Sequence, residues 1–148
     1  MTALHVIFRV GNAEYVLPAS DVLQMESFAE ATPVPGAASY VRGIIHVRGR
    51  VVPVVDLRVR FGLPPIDATL DSRVVVVQLA ERTVGLLADS AREVVKLAPE
   101  QIHAPPNMMS FDDASRFVKG VAHVEKRLLM LLDFAKVIGE ESADVSER

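Results

Sequence analysis

The sequence predicts a mainly β fold of the sandwich or barrel type, assembled from two copies of one strand module. Twenty-four of the 148 residues are valine, which suits a pleated strand better than a helix. The apolar runs are short and separated by turn residues, the pattern of many short strands at regular spacing. A 23-residue segment also recurs, without a gap, 77 residues further along the chain.

Leu4–Val10 reads as a strand that turns at Gly11-Asn12 into a hairpin partner, Glu14–Leu17. Pro18–Asp21 is a turn or a single helical turn. Val22–Phe28 is extended, with Val22, Gln24 and Glu26 on one face and Leu23 and Met25 on the other. Thr32–Gly36, with two prolines and a glycine, is a loop. Ile44–Val47 and Val51–Val55 flank the tight turn Arg48-Gly49-Arg50. Pro53 assigns the second of these strands to a sheet edge or a bulge, because proline cannot donate to a ladder. Pro64-Pro65 opens a long connection. Arg73–Leu79 and Thr83–Leu87 form a hairpin about Glu81-Arg82, and Val94–Leu97 is a short strand. A loop rich in proline and methionine runs from Pro99 to about Ser115. Phe117–Val124 and Leu128–Leu132 form the last hairpin, about Glu125-Lys126.

The repeat aligns Tyr40–Gly62 with Phe117–Gly139 and pairs Val41 with Val118, Gly43 with Gly120, His46 with His123, Arg50 with Arg127 and Asp56 with Asp133. A weaker echo aligns Tyr15–Met25 with Val84–Val94 at an offset of 69. Each module is too small for a robust core, so the two are expected to share one. Asp56 and Asp133 each end a strand before a short helical stretch, and Gly62 and Gly139 close those stretches. That is the arrangement of an Asp N-cap and a Gly C′, so capping explains these carboxylates better than catalysis does.

The length fits a single domain, residues 1–148, able to bury roughly two-thirds of its extended surface without a staple. Residues 140–148 form an acidic tail too polar to order itself. With no cysteine, disulfides, thiolate metal sites and a cysteine nucleophile are excluded. No apolar run approaches the ~18 residues of a membrane span, so the expectation is a soluble, cytoplasmic chain without direct membrane insertion. The chain has no G-x-S-x-G, no H-E-x-x-H and no phosphate-cradling glycine loop. His5, His46, His103 and His123 are scattered and no carboxylate pair stands out, so no catalytic residue, metal or cofactor is assigned. The net charge of −3 argues against a generic nucleic-acid binder. Arg42, Arg48, Arg50, Arg58 and Arg60 nevertheless form a stripe opposed only by Asp56. Small β-barrels can hold single strands with such a stripe plus stacking aromatics. Only Tyr40 and Phe61 lie near it, so a solvated face or ion pairs with a protein partner is the better reading, with nucleic-acid binding the alternative.

The stretch from Tyr40 to Arg58, YVRGIIHVRGRVVPVVDLR, resembles the central signature of the CheW-like family: a glycine, an Asn-Leu-Arg-Gly turn, then Val-Pro-Val-x-Asp-Leu-Arg. The likeness continues at Val84–Asp89, at Phe117–Gly120 and through Leu128–Ile138, covering nearly the whole chain. It implies two intertwined five-stranded SH3-like barrels sharing a core. It also implies a non-enzymatic adaptor that couples chemoreceptors to the histidine kinase CheA. The implied partners are the kinase regulatory domain, itself of this fold, and the helical cytoplasmic tip of the receptor. Through them the adaptor would sit at the membrane-associated receptor array. The partner-binding residues implied are Arg48, Gly43, Gly49, Val22, Gln24, Gly85 and Gly120. Two departures stand out. His46-Val47 replaces the family Asn-Leu, and Gln24 stands where the family often has a glutamate that pairs with the motif arginine. Arg48 is therefore expected to find its hydrogen-bonded partner in Gln24 or Glu26.

Overall fold

The strands predicted from alternation and turn residues all form, in a computed structural model that describes residues 1–105 and 116–139. In chain order they are β1 (Ala3–Val10), β2 (Ala13–Pro18), β3 (Val22–Ser27), β4 (Val41–Val47), β5 (Arg50–Asp56), β6 (Arg73–Leu79), β7 (Arg82–Ala88), β8 (Ser90–Leu97), β9 (Val118–Val124) and β10 (Arg127–Leu132). Short 3-10 turns cover Ala19–Asp21 and Pro99–Gln101, helix α1 covers Leu57–Arg60, and residues 134–139 are helical. The acidic tail over 140–148 and residues 106–115 of the loop rich in proline and methionine lie outside the described residues. The β6–β7 hairpin turns at Ala80-Glu81 rather than at Glu81-Arg82. Arg82 pairs with Leu79 in the ladder, and Ala80 takes the positive φ of 55°.

The strands form two five-stranded sheets, in the orders β8-β1-β2-β10-β9 and β3-β6-β7-β5-β4. Each sheet draws strands from both copies of the repeat: β1 and β2 join β8 to β10, while β3 to β5 join β6 and β7. The registers repeat with them. Val41 faces Val55 and Gly43 faces Val54 across a bulge, just as Val118 faces Leu132 and Gly120 faces Leu131. The parallel pairs agree too, Val54 with Gly85 and Leu131 with Val16. The capping aspartates also match: Asp56 N–H donates to the Tyr40 carbonyl and Asp133 N–H to that of Phe117, both at 2.7 Å. Neither sheet closes into a continuous barrel. β3 and β4 are the two edges of one, β8 and β9 of the other. Isolated bridges from the intervening loops, Thr32 to Ile44 and His103 to Val121, partly cover the gaps.

The run Val74–Val77 shows why these strands read as continuous apolar segments. Val75 and Val77 enter a large core shared by both sheets, with Phe8, Tyr15, Leu86 and Phe117. Val74 and Val76 face the other way, into a smaller cluster with Phe28, Val54 and Leu87. The first sheet does the same, sending Phe8 and Val10 to the shared core and Ile7 to a cluster with Val16, Leu97 and Leu129. A sheet buried on both faces loses the polar alternation of a one-sided sheet.

Pro53 is not at an edge, because β5 lies between β7 and β4. It faces Ile44 on the β4 side, and the parallel ladder to β7 begins only at Val54, so its missing N–H falls just before the doubly paired stretch. Both capping aspartates act as expected. Asp56 accepts from the Arg58 N–H at 3.0 Å and Asp133 from that of Lys136 at 3.3 Å, while Gly62 and Gly139 have φ of 82° and 62°.

Candidate docking site

The arginine stripe of the sequence is dispersed by the fold. Arg42 pairs with the buried Asp56 at 2.9 Å. Arg58 forks onto both oxygens of Asp89 at 2.9 and 3.0 Å, while the Gly11 N–H donates to the same carboxylate at 2.8 Å. The bond to Asp89 raises the pKa of Arg58 further. Arg60 points inward to the carbonyls of Val137 and Lys136. Only Arg48 and Arg50 remain exposed, too few for a phosphate-tracking stripe, and the nucleic-acid alternative loses its basis.

These two arginines line a groove of about 240 Å³ at one end of the second sheet, together with Leu23 and Gln24 of β3 and Thr83 of β7. Arg48 occupies the β4–β5 turn with a φ of 51°, beside Gly49 at 80°. The expected bond from Arg48 to Gln24 or Glu26 is not formed. The Gln24 amide instead donates to the Glu26 carboxylate at 2.6 Å, two residues along the same strand face. Arg48 has no hydrogen bond or ion pair among the described residues.

The implied site residues thus fall into two groups. Arg48, Gly49 and Gln24 lie together at the β3 edge and the β4–β5 turn, with the half-buried Val22 at the start of β3. Gly43, Gly85 and Gly120 are buried at close approaches. A Cβ on Gly85 would lie 2.5 Å from Val74 Cγ1, and one on Gly120 2.7 Å from Ile102 Cγ2. A second, wider groove of about 560 Å³ follows the gap between β3 and β4, lined by Glu26, Phe28, Thr32, Ile45 and His46. His46 and His123, equivalent in the repeat, stand exposed on different sheets. No group of three or more His, Cys, Asp or Glu among the described residues could hold a metal. No described helix is long and apolar enough to cross a membrane.

Sequence reasoning missed how differently Arg50 and its repeat equivalent are paired, since Arg50 meets only the Thr83 hydroxyl, at 3.3 Å, among the described residues. Its repeat counterpart Arg127 forks onto both oxygens of Glu14, at 3.0 and 2.6 Å, and onto both of Glu93, at 3.0 and 2.9 Å. These bonds raise the pKa of Arg127, and the bond from Arg127 holds the Glu14 carboxyl below its ordinary range. A carboxylate whose folded pKa is depressed contributes stability above its unfolded pKa, and that contribution is lost as pH falls through the folded value. Glu14→Gln is therefore expected to lower stability by about 1 kcal/mol near neutral pH, the upper end for a partly exposed ion pair. The deficit should disappear by about pH 3. Urea unfolding of both chains across that range checks this, and a deficit that persists at the acid end would assign the loss to packing instead.

The sequence matches the family described as CheW-like domain over residues 4–142. It is 32% identical to the chemotaxis protein CheW of Bacillus subtilis over 139 residues, covering 93% of this chain and 88% of that one. It is 31% identical to the CheW of Rhizobium meliloti over 141 residues, 95% and 90% of the two chains. Among solved structures, the scaffolding protein TtCheW from Thermoanaerobacter tengcongensis superposes with a TM-score of 0.84 at 27% identity, over 94% of this chain and 89% of that one.

Proposed function

The chain belongs to the CheW-like family and is a chemotaxis coupling adaptor, and from that premise we propose that it joins the histidine kinase CheA to the cytoplasmic tip of a chemoreceptor. The observation that carries this reading is the groove between β3 and the β4–β5 turn. There a charged turn residue, Arg48, is presented without a partner among the described residues, beside a free strand edge. Exposed strand edges are natural templates for protein partners. In this reading the chain acts as one domain of two β-barrel subdomains and catalyses nothing itself. Arg48, Gly49, Val22 and Gln24 form the docking face, Gly43 and Gly85 hold close backbone approaches in the same sheet, and Gly120 does so in the other sheet. It is cytoplasmic and reaches the membrane-associated array only through its partners. Coupling is a difference in binding free energy between kinase-on and kinase-off assemblies, typically 1–3 kcal/mol.

Arg48→Ala tests this. The residue is exposed and makes no bond among the described residues, so stability should change by no more than ~0.5 kcal/mol. Assembly into receptor–kinase complexes should weaken tenfold or more, read as kinase activity in reconstituted arrays with unfolding curves as the control. Activation equal to that of the unmodified chain would remove Arg48 from the docking face.

A further inference from the structure

We propose that Arg50 receives a carboxylate from an extended, acidic strand edge of the kinase, taking the place of the internal carboxylates that its counterpart Arg127 already holds. The inference deepens the adaptor reading and rests on it for the choice of partner.

The two sheets carry the same constellation in two states. Arg127 opens β10 and is met by Glu14 of β2 and Glu93 of β8. Arg50 opens β5, at the equivalent position. The 69-residue offset places Thr83 of β7 where Glu14 stands and Gln24 of β3 where Glu93 stands. The ladders support the match: Ile7 faces Glu93 as Val76 faces Gln24. The one hydrogen bond that Arg50 makes among the described residues, to Thr83 Oγ1 at 3.3 Å, runs in the direction of the Arg127–Glu14 pair. Around Arg50 neutral side chains thus stand at both carboxylate positions, and Gln24 turns its amide to Glu26.

A guanidinium presents a rigid fork of donors that matches a carboxylate, as the four Arg127 bonds illustrate. At Arg50 that fork is exposed, in a groove lined by two arginines and no carboxylate. Leu23, which lines the same groove, is exposed as well, at 47%. The outer edge of β3 has no strand beside it. Charge, apolar surface and edge together fit a β-strand bearing one Asp or Glu among apolar neighbours. A helix offers no backbone groups to that edge.

The experiment is a titration of the full chain against its cognate CheA kinase. Binding by the unmodified chain is expected. Arg50→Glu should weaken it tenfold or more, whereas Lys126→Glu, the same charge change on the exposed turn of the other sheet, should not. The double variant Gln24→Glu, Thr83→Glu rebuilds the internal carboxylates around Arg50. It should also lose tenfold or more in affinity while its thermal midpoint holds or rises. If the unmodified chain binds and either Arg50→Glu or the double variant binds equally well, the inference falls and the adaptor reading stands. If the unmodified chain does not bind the kinase at all, both fall together.

Discussion

Gly43→Ala is expected to destabilise the fold by more than about 3 kcal/mol, the sum of backbone strain and an overpacked contact. Gly43 lies in the β4 bulge with a φ of +147°, in the region that side chains other than glycine's rarely adopt. A Cβ there would lie 2.3 Å from the Thr32 carbonyl oxygen and 2.7 Å from its carbon. These are backbone atoms fixed by two hydrogen bonds, Thr32 N–H to Ile44 at 2.9 Å and Ile44 N–H to Thr32 at 2.8 Å. Relief would require breaking the bridge that partly covers the gap between β3 and β4. Gly120 provides the internal comparison, because the His103–Val121 bridge crosses it in the same way. Its nearest obstacle, however, is a side-chain methyl of Ile102, and the closest carbonyl oxygen is 3.4 Å away. Gly120→Ala should therefore cost clearly less than Gly43→Ala. Equilibrium unfolding of the two variants decides the point, and equal losses would show that the bridge at Thr32 yields as readily as a methyl group.

These equivalences are legible in the repeat itself. It aligns Gly43 with Gly120 and Asp56 with Asp133, and the registers follow that alignment residue by residue. The repeat alone does not say that each sheet mixes the two copies. Exchanging equivalent strands between modules leaves the apolar pattern of each strand unchanged, so alternation alone favours neither arrangement. The arginine stripe misled for a related reason. Arg42 meets Asp56, the one carboxylate within the run, but Arg58 meets a carboxylate 31 residues away and Arg60 meets carbonyls 76 and 77 residues away, neither visible in a local charge run. The edge reading of Pro53 fails because the rule against proline in central strands concerns individual ladder positions, and the β7 ladder begins one residue later; its alternative, a bulge, is met where the β4–β5 register shifts opposite Val54 and Val55. The free state of Arg50 was within reach of the sequence. Extending the weaker alignment by one residue sets Thr83 against Glu14, and the aligned stretch already sets Gln24 against Glu93.

Arg60→Ala should cost about 3 kcal/mol, although a charged residue at the end of a four-residue helix reads as surface. Its Nε donates to the Val137 carbonyl at 2.8 Å and its Nη2 to that of Lys136 at 3.2 Å, near the C-terminal end of the helical residues 134–139. A cation there also meets the negative end of the helix dipole. The guanidinium carbon lies 4.0 Å from the centre of the Tyr40 ring and 5.0 Å from that of Phe117. Those rings are repeat equivalents on different copies, so Arg60 bridges the two halves across the shared core. The position equivalent to Arg60 is Val137, buried and supplying one of the accepting carbonyls. The approximate symmetry is broken here because two guanidinium groups would meet between the same two rings. Charge-assisted hydrogen bonds are worth roughly 1.5–3 kcal/mol and a cation–π contact about 0.5–2 kcal/mol, and together they set the expected loss. For a chain of this size that is a fall of about 10 °C in Tm. Arg60→Lys should recover only a minor part, since an ammonium group cannot stack on both rings and fork onto two carbonyls at once. Thermal unfolding of both variants measures this, and full recovery by lysine would reduce the role of Arg60 to its charge.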